Sequence, residues 1–345
     1  MNVLVTGNLG YIGSVLTSLL EEQGHSVSGL DVGFFADCLV APAHELKYQS
    51  SKDIRDVEVS DFDGFDGVIH LAGLSNDPLG EFDATLTDEI NFQGTVRAAE
   101  LAKKAGVRRF VFASSQSMYG VSTVDAELEE DSSEKNPVTA YARTKWEAEL
   151  AIKHLASEQF IVTAFRPSTV FGASPRLRCD IVFNNLVGCA FTKGFIEIKS
   201  DGTPWRPVVH VKDVCKAFIA GLTAPAELVQ GRSFNVGIPN GNFTVRDLAE
   251  AAAQSISGCG LTYTGEHGKD SRSYQVSFAR ILSELSAYFQ PDWGLARGGE
   301  ELVAFFKQTN FTEADFRGSK TIRLEKLKEL VSSGRLDSKF RWAKA

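Results

Sequence analysis

Met1-Asn2-Val3-Leu4-Val5-Thr6-Gly7-Asn8-Leu9-Gly10-Tyr11-Ile12-Gly13 is the stretch that decides the fold. The apolar run 3–5 reads as a strand. Three glycines follow at a spacing of three, and a helical pattern then runs over 12–20 and ends near Gly24. A strand that turns through glycines into a helix makes a phosphate cradle. One glycine forms the tight turn, the next lets backbone approach a pyrophosphate, and the third lets helix pack closely on strand. The helix N-terminus adds N–H donors. Glycines also cluster in ordinary turns, and the strand before and helix after separate the two readings.

Outward from this unit, strand-like runs at 27–30, 68–72, 110–114 and 161–165 alternate with helical patterns at 86–105 and 141–157. Lys103 and Lys104 fall in the last turn of the first of these helices, with Gly106 after it. Such alternation predicts an α/β fold, a parallel sheet wrapped by helices on both faces. After Gly172 the rhythm breaks into short strands at 195–199 and 205–209. A helix at 211–222 and a strand at 233–236 then return the chain to the first sheet. We therefore expect a dinucleotide-binding domain from 1–172 and 208–238, and a smaller mixed α/β substrate domain from 173–207 and 239–345. The amphipathic pattern at 321–331, apolar at Ile322, Leu327, Leu330 and Val331, predicts a helix packed on that smaller domain.

Composition narrows the function classes. With 345 residues, 43% of them apolar and 23% charged, the chain is neither disordered nor collagen-like nor a long coiled coil. No apolar run approaches the roughly 20 residues that span a bilayer. A first strand that starts at Asn2 leaves no room for a signal peptide, so a cytoplasmic protein with no membrane partner is expected. Thirty-six basic against 44 acidic residues give a net charge of -8, and without a basic cluster nucleic acid is a poor partner. Cys38, Cys179, Cys189, Cys215 and Cys259 contain no C-x-x-C pair, which favours reduced thiols and no metal site.

Asp31 ends the second predicted strand, 18 residues beyond Gly13. A carboxylate there accepts hydrogen bonds from ribose hydroxyls and repels a 2′-phosphate, and 32–46 holds no Arg or Lys. The cofactor that fits is NAD rather than NADP. Further on, Tyr141 and Lys145 stand four apart at the start of a helix, on one face. Ser115 ends a strand 26 residues earlier, where parallel sheets open onto their ligand crevice. A tyrosine near pKa 10 needs about 4 kcal/mol of help to act as a base at neutral pH. One cation at about 4 Å in an effective dielectric near 20 supplies roughly that. Lys145, aided by a positive nicotinamide ring, therefore makes Tyr141 a workable base, with Ser115 holding the substrate oxygen. Asn91 is a poor interior helix residue, which implies a task for its side chain.

The T-G-x-x-G-x-x-G run, the Ser115, Tyr141 and Lys145 set and the segment His70-Leu71-Ala72-Gly73 resemble the extended short-chain dehydrogenase/reductases. Within that superfamily the closest likeness is to the NAD-dependent nucleotide-sugar epimerases and dehydratases. The resemblance implies a Rossmann-type doubly wound sheet and Tyr141 as base, Lys145 as ribose ligand and Ser115 as third member. It implies cofactor contacts from Gly7, Gly10, Tyr11, Ile12, Gly13, Asp31, Asp53, Ile54, Leu71, Ala72, Gly73, Asn91, Ser114 and Pro167, with Asp53 and Ile54 at the adenine. It implies a nucleoside-diphosphate sugar as substrate, met by Ser75, Ser117, Thr169, Asn184, Asn185, Arg206 and Arg272, the arginines clamping phosphates. It also implies a homodimer formed through the helices at 86–105 and 141–157. In the 4,6-dehydratases the stretch after the serine carries an acid pair. Gln116 and Ser117 stand here instead, and neither moves protons readily near neutral pH. That departure favours a 4-epimerase, although Ser75 stands where those enzymes often carry a lysine. A dehydratase, decarboxylase, 4-keto reductase or 2-/3,5-epimerase on the same scaffold remains open, as does a dinucleotide-sensing regulator without chemistry.

Overall fold

The computed structural model describes residues 1–121, 126–266 and 273–343. Twelve strands are formed among them: β1 (Asn2–Thr6), β2 (Ser26–Asp31), β3 (Tyr48–Ser51), β4 (Gly67–His70), β5 (Arg109–Ala113), β6 (Ile161–Pro167), β7 (Thr169–Phe171), β8 (Phe195–Ile198), β9 (Trp205–His210), β10 (Arg232–Val236), β11 (Asn242–Thr244) and β12 (Gly260–Tyr263). Seven of them form one parallel sheet in the order β10-β6-β5-β4-β1-β2-β3. The chain builds outward from β1 to β3 and then crosses back to place β4 on the other side of β1. That reversal opens a crevice beyond the carboxyl ends of β1 and β4, where such folds bind ligands. β10 pairs in parallel with β6, so the expected return to the first sheet occurs.

β1 and β4 are buried almost throughout, as a central parallel strand covered on both faces must be. β3 is different. Its four residues, Tyr-Gln-Ser-Ser, are all exposed on the sheet edge, and neither apolar content nor alternation marks them as a strand. The smaller part holds a three-stranded sheet, β11-β9-β7, and a parallel pair, β12-β8. The helices Val182–Lys193, Val245–Gln254 and Leu295–Gln308 pack among these strands.

Two expectations need refinement. The helix at 86–105 forms as Ala84–Thr87 and Gly94–Lys104, joined by a π-helical turn over Asp88–Gln93. The tail helix, Arg323–Ser332, touches the 173–207 stretch only at its start, where Arg323 bonds the Arg176 and Leu177 carbonyls, and turns its apolar face elsewhere. Its Leu327 and Leu330, with Leu336 and Phe340 beyond it, join the buried cluster of Leu4, Leu30, Val68 and Phe110 under the large sheet. An amphipathic pattern says that one helix face is covered, not which surface covers it.

Candidate active site

The crevice is a cavity of about 710 Å³. Gly7 has φ +75°, and a Cβ there would lie 2.6 Å from the Ala72 nitrogen, so β1 can turn this close to the end of β4 only through glycine. At Gly13 a Cβ would lie 2.5 Å from the Asn8 Cα, which seats the Gly13–Glu22 helix tightly on the loop. Ser14, Val15 and Leu16 in the first turn give their N–H groups to the Gly10 and Ile12 carbonyls, so a pyrophosphate would meet the glycine loop just ahead of them. Asp31 is anchored by the Leu9 and Gly33 N–H groups at 3.0 and 2.8 Å. Burial pushes its carboxyl up, and these two bonds hold it down. A cradle with no room for side chains and a buried carboxylate at the next strand end fit a dinucleotide with a free ribose.

Tyr141 and Lys145 project from the Ala140–Lys153 helix, which Thr139 caps by accepting the Ala142 N–H at 3.1 Å. Tyr141 and Ser115 line the same cavity. Ser115 also accepts the Ser117 hydroxyl at 2.9 Å and the Ser117 N–H at 3.1 Å. Burial raises the Tyr141 pKa, and the neighbouring Ser115 hydroxyl counters it. Lys145 donates to the Ala113 carbonyl at 2.8 Å, and burial lowers its pKa to about 8.

Beneath these groups lies a buried charge network. Glu149, one turn beyond Lys145, accepts Ser114 Oγ at 2.6 Å, Ser233 Oγ at 2.5 Å and both ends of the Arg166 guanidinium at 2.6 and 3.0 Å. Gln116 is also spent on structure. It donates to the Arg166 carbonyl at 3.0 Å and accepts Ser168 Oγ at 3.2 Å.

Of the residues expected from sequence, Gly7, Gly10, Tyr11, Ile12, Gly13, Asp31, Asp53, Ile54, Leu71, Ala72, Gly73, Ser114, Ser115, Tyr141, Lys145 and Pro167 line this one cavity, as do Ser75, Ser117, Thr169 and Arg206. Asn91 stands behind it. Its amide exchanges two hydrogen bonds with the Leu74 backbone, at 2.8 and 3.0 Å, and so fixes the loop after β4. Asn184 and Asn185 also stand outside the lining. Asn184 accepts the Gly172 N–H at 2.9 Å and donates to the Arg178 carbonyl at 2.9 Å, while Asn185 donates to the Cys179 carbonyl at 2.8 Å. Arg272 lies outside the described residues. Asp53 lines the cavity, yet its carboxylate is held by Arg55 at 2.6 Å and Arg341 at 3.0 Å.

The structure adds further residues to this set. Arg178 lies against the cavity, paired through two bonds with Asp180 at 2.9 and 3.0 Å and bonded to Ser75 at 2.9 and 3.0 Å. The Arg-x-Asp spacing was the available signal. Phe34 and Phe35, just past β2, line the same cavity, as do Ile322, Arg323 and Leu324 from the distant tail.

A glycine cradle at the switch point, with serine, tyrosine and lysine converging on one crevice, defines a short-chain dehydrogenase/reductase of the extended type. The chain belongs to the NAD dependent epimerase/dehydratase family, whose model matches residues 3–237. NAD is accordingly the cofactor. The UDP-glucose 4-epimerase of Mycolicibacterium smegmatis is 30% identical over 323 residues, which cover 89% of this chain and 99% of that protein. UDP-glucuronic acid decarboxylase 1 of Arabidopsis thaliana is 25% identical, across 92% of this chain and 72% of its own length. Among solved structures, MoeE5 in complex with UDP-glucose and NAD superposes with a TM-score of 0.74 at 26% identity, covering 90% of this chain and all of MoeE5. Among the described residues no helix is long and apolar enough to cross a membrane, and no group of three metal-ligating side chains occurs.

Proposed function

We propose that the protein inverts the C4 hydroxyl of a nucleoside-diphosphate sugar by transient oxidation to the 4-keto sugar. One observation carries this reading. Ser115, Tyr141 and Lys145 line one crevice with the glycine loop, while Gln116, where a dehydratase keeps an acid, is held by the Arg166 carbonyl and the Ser168 hydroxyl. The relatives named as UDP-glucose 4-epimerases support it.

In this scheme Ser115 holds the sugar 4-oxygen and Tyr141 takes its proton. The glycine loop and Asp31 would hold NAD, which when bound would supply the hydride acceptor for oxidation at C4 and the hydride donor for the reduction that follows. Lys145 favours the phenolate, and Tyr141 gives the proton back when the keto group is reduced. Arg206 and Thr169, which line the same cavity, meet the nucleotide and sugar; Arg206 suits a diphosphate because its planar fork binds two oxygens at once. No cofactor is consumed.

The test is a panel of UDP-, GDP-, CDP- and dTDP-sugars incubated with the enzyme and followed by NMR. The expected product is the C4 epimer with no added NAD. A 4-keto-6-deoxy sugar, release of carbon dioxide from a uronic acid, or net NADH would refute the proposal.

A further inference from the structure

The family's matched residues end at 237, yet the cofactor crevice does not end with them. Ile322, Arg323 and Leu324 line it beside Phe34 and Phe35. The Arg323 guanidinium lies 5.3 Å from the Phe35 ring centroid and is held by the carbonyls of Lys320 at 2.7 Å and Arg176 at 2.7 Å. Further along, Phe340 is buried between Phe34 and Phe82, with ring centroids at 6.5 and 5.9 Å. Trp342 donates its indole N–H to the Val32 carbonyl at 2.7 Å, one residue past Asp31. Arg341 pairs with Asp53 at 3.0 Å and with Asp56, while Arg55 donates to the Lys339 carbonyl at 2.9 Å. Lys326 reaches Asp37 at 2.8 Å.

These contacts have a common target. The loop after β2 carries Asp31, Phe34 and Phe35; the loop after β3 carries Asp53 and Ile54. Both are surface loops at the adenosine end of a crevice of this fold, and such loops are ordinarily its most mobile part. Here each is tied to the tail by an aromatic contact, a hydrogen bond or an ion pair. We propose that segment 322–343 completes the adenosine half of the cofactor site and sets how slowly the dinucleotide leaves. A reaction that takes a hydride and returns it to the same substrate needs such retention, because loss of the reduced dinucleotide in mid-cycle strands the keto intermediate. The inference concerns binding and stands whether or not C4 is the carbon inverted.

The test measures bound nucleotide rather than turnover. Purified parent, the double variant Arg341→Ala/Trp342→Ala, the single variant Arg341→Lys and a form lacking residues 335–345 are compared. Each is assayed for NAD content after acid release and for exchange of bound NAD with isotopically labelled NAD. The parent is expected to hold near one NAD per chain. The double variant should exchange it at least tenfold faster, and Arg341→Lys should stay within about threefold of the parent. Unchanged exchange in the double variant overturns the proposal. So does faster exchange matched by an equal loss of urea resistance in the NAD-stripped protein, which would mark general loosening. Arg341 and Trp342 are each more than a third exposed, so the point variants decide the matter if the shortened chain does not fold.

Discussion

Burial acts on Tyr141 and Lys145 in the same sense, pushing each toward its neutral form. The neighbouring Ser115 hydroxyl opposes this for the phenol, while the amine rests on the Ala113 carbonyl. With a pKa of about 8, Lys145 keeps its charge at neutral pH beside a phenol that keeps its proton. Tyr141→Phe should lower kcat by about 10²- to 10⁴-fold and leave NAD content unchanged. Lys145→Met should raise the phenol's pKa. A base must lose its proton to act, so the acid limb of the kcat profile should move about one to three units toward alkaline pH. The same substitution has a stability signature. The Lys145 pKa is depressed from 10.5 to about 8, so the folded protein carries a buried ammonium at a cost below about pH 8, and that cost fades as pH rises toward 10.5. Urea midpoints of the NAD-stripped proteins should therefore favour Lys145→Met at pH 7 and converge near pH 10. The Tyr141, Lys145 and Ser115 trio was legible because helix periodicity and strand ends are local properties. The bond from Arg178 to Ser75 was not, because the two residues meet only once the loop after β7 folds against the loop after β4.

Two elements carry the catalytic groups, and each is fixed from below. The Ala140–Lys153 helix is pinned to β6 and β10 by Glu149, which is fully buried with Arg166 and Ser233. Removing one member of a buried pair leaves the other charge uncompensated, so Glu149→Ala should cost about 3–5 kcal/mol in urea unfolding. The loop after β4 is held by Asn91, whose position in a π-helical turn lets a helical side chain bond the Leu74 backbone twice. Asn91→Ala strands a buried N–H and C=O, and a loss of about 1–3 kcal/mol is expected in the same assay. The sequence marked Asn91 as a misfit within a helical run and so as a residue with a task. It gave no sign that the task was to hold backbone rather than cofactor, because the π turn that aims the side chain arises from packing.

At the scale of the molecule, the resemblance puts a second copy against the helices Gly94–Lys104 and Ala140–Lys153. Leu150 on the latter is 41% exposed and would be covered in such a pairing. Light scattering is expected to give twice the chain mass for the parent and the chain mass for Leu150→Glu. The parallel sheet follows from strand–helix alternation, a property of local chain geometry, and its doubly wound form from the family resemblance. The sequence by itself thus determined the parallel sheet, the glycine cradle, the carboxylate at the end of β2 and the tyrosine–lysine face, since each depends on residues within a few turns of one another. Only tertiary structure decided that Asn184 and Asn185 bond backbone, that Asp53 is shared between Arg55 and Arg341, and that the tail helix lies over the large domain. Those outcomes depend on which surfaces meet after the chain closes on itself. A periodic pattern records that a face must be buried but carries no address for its partner.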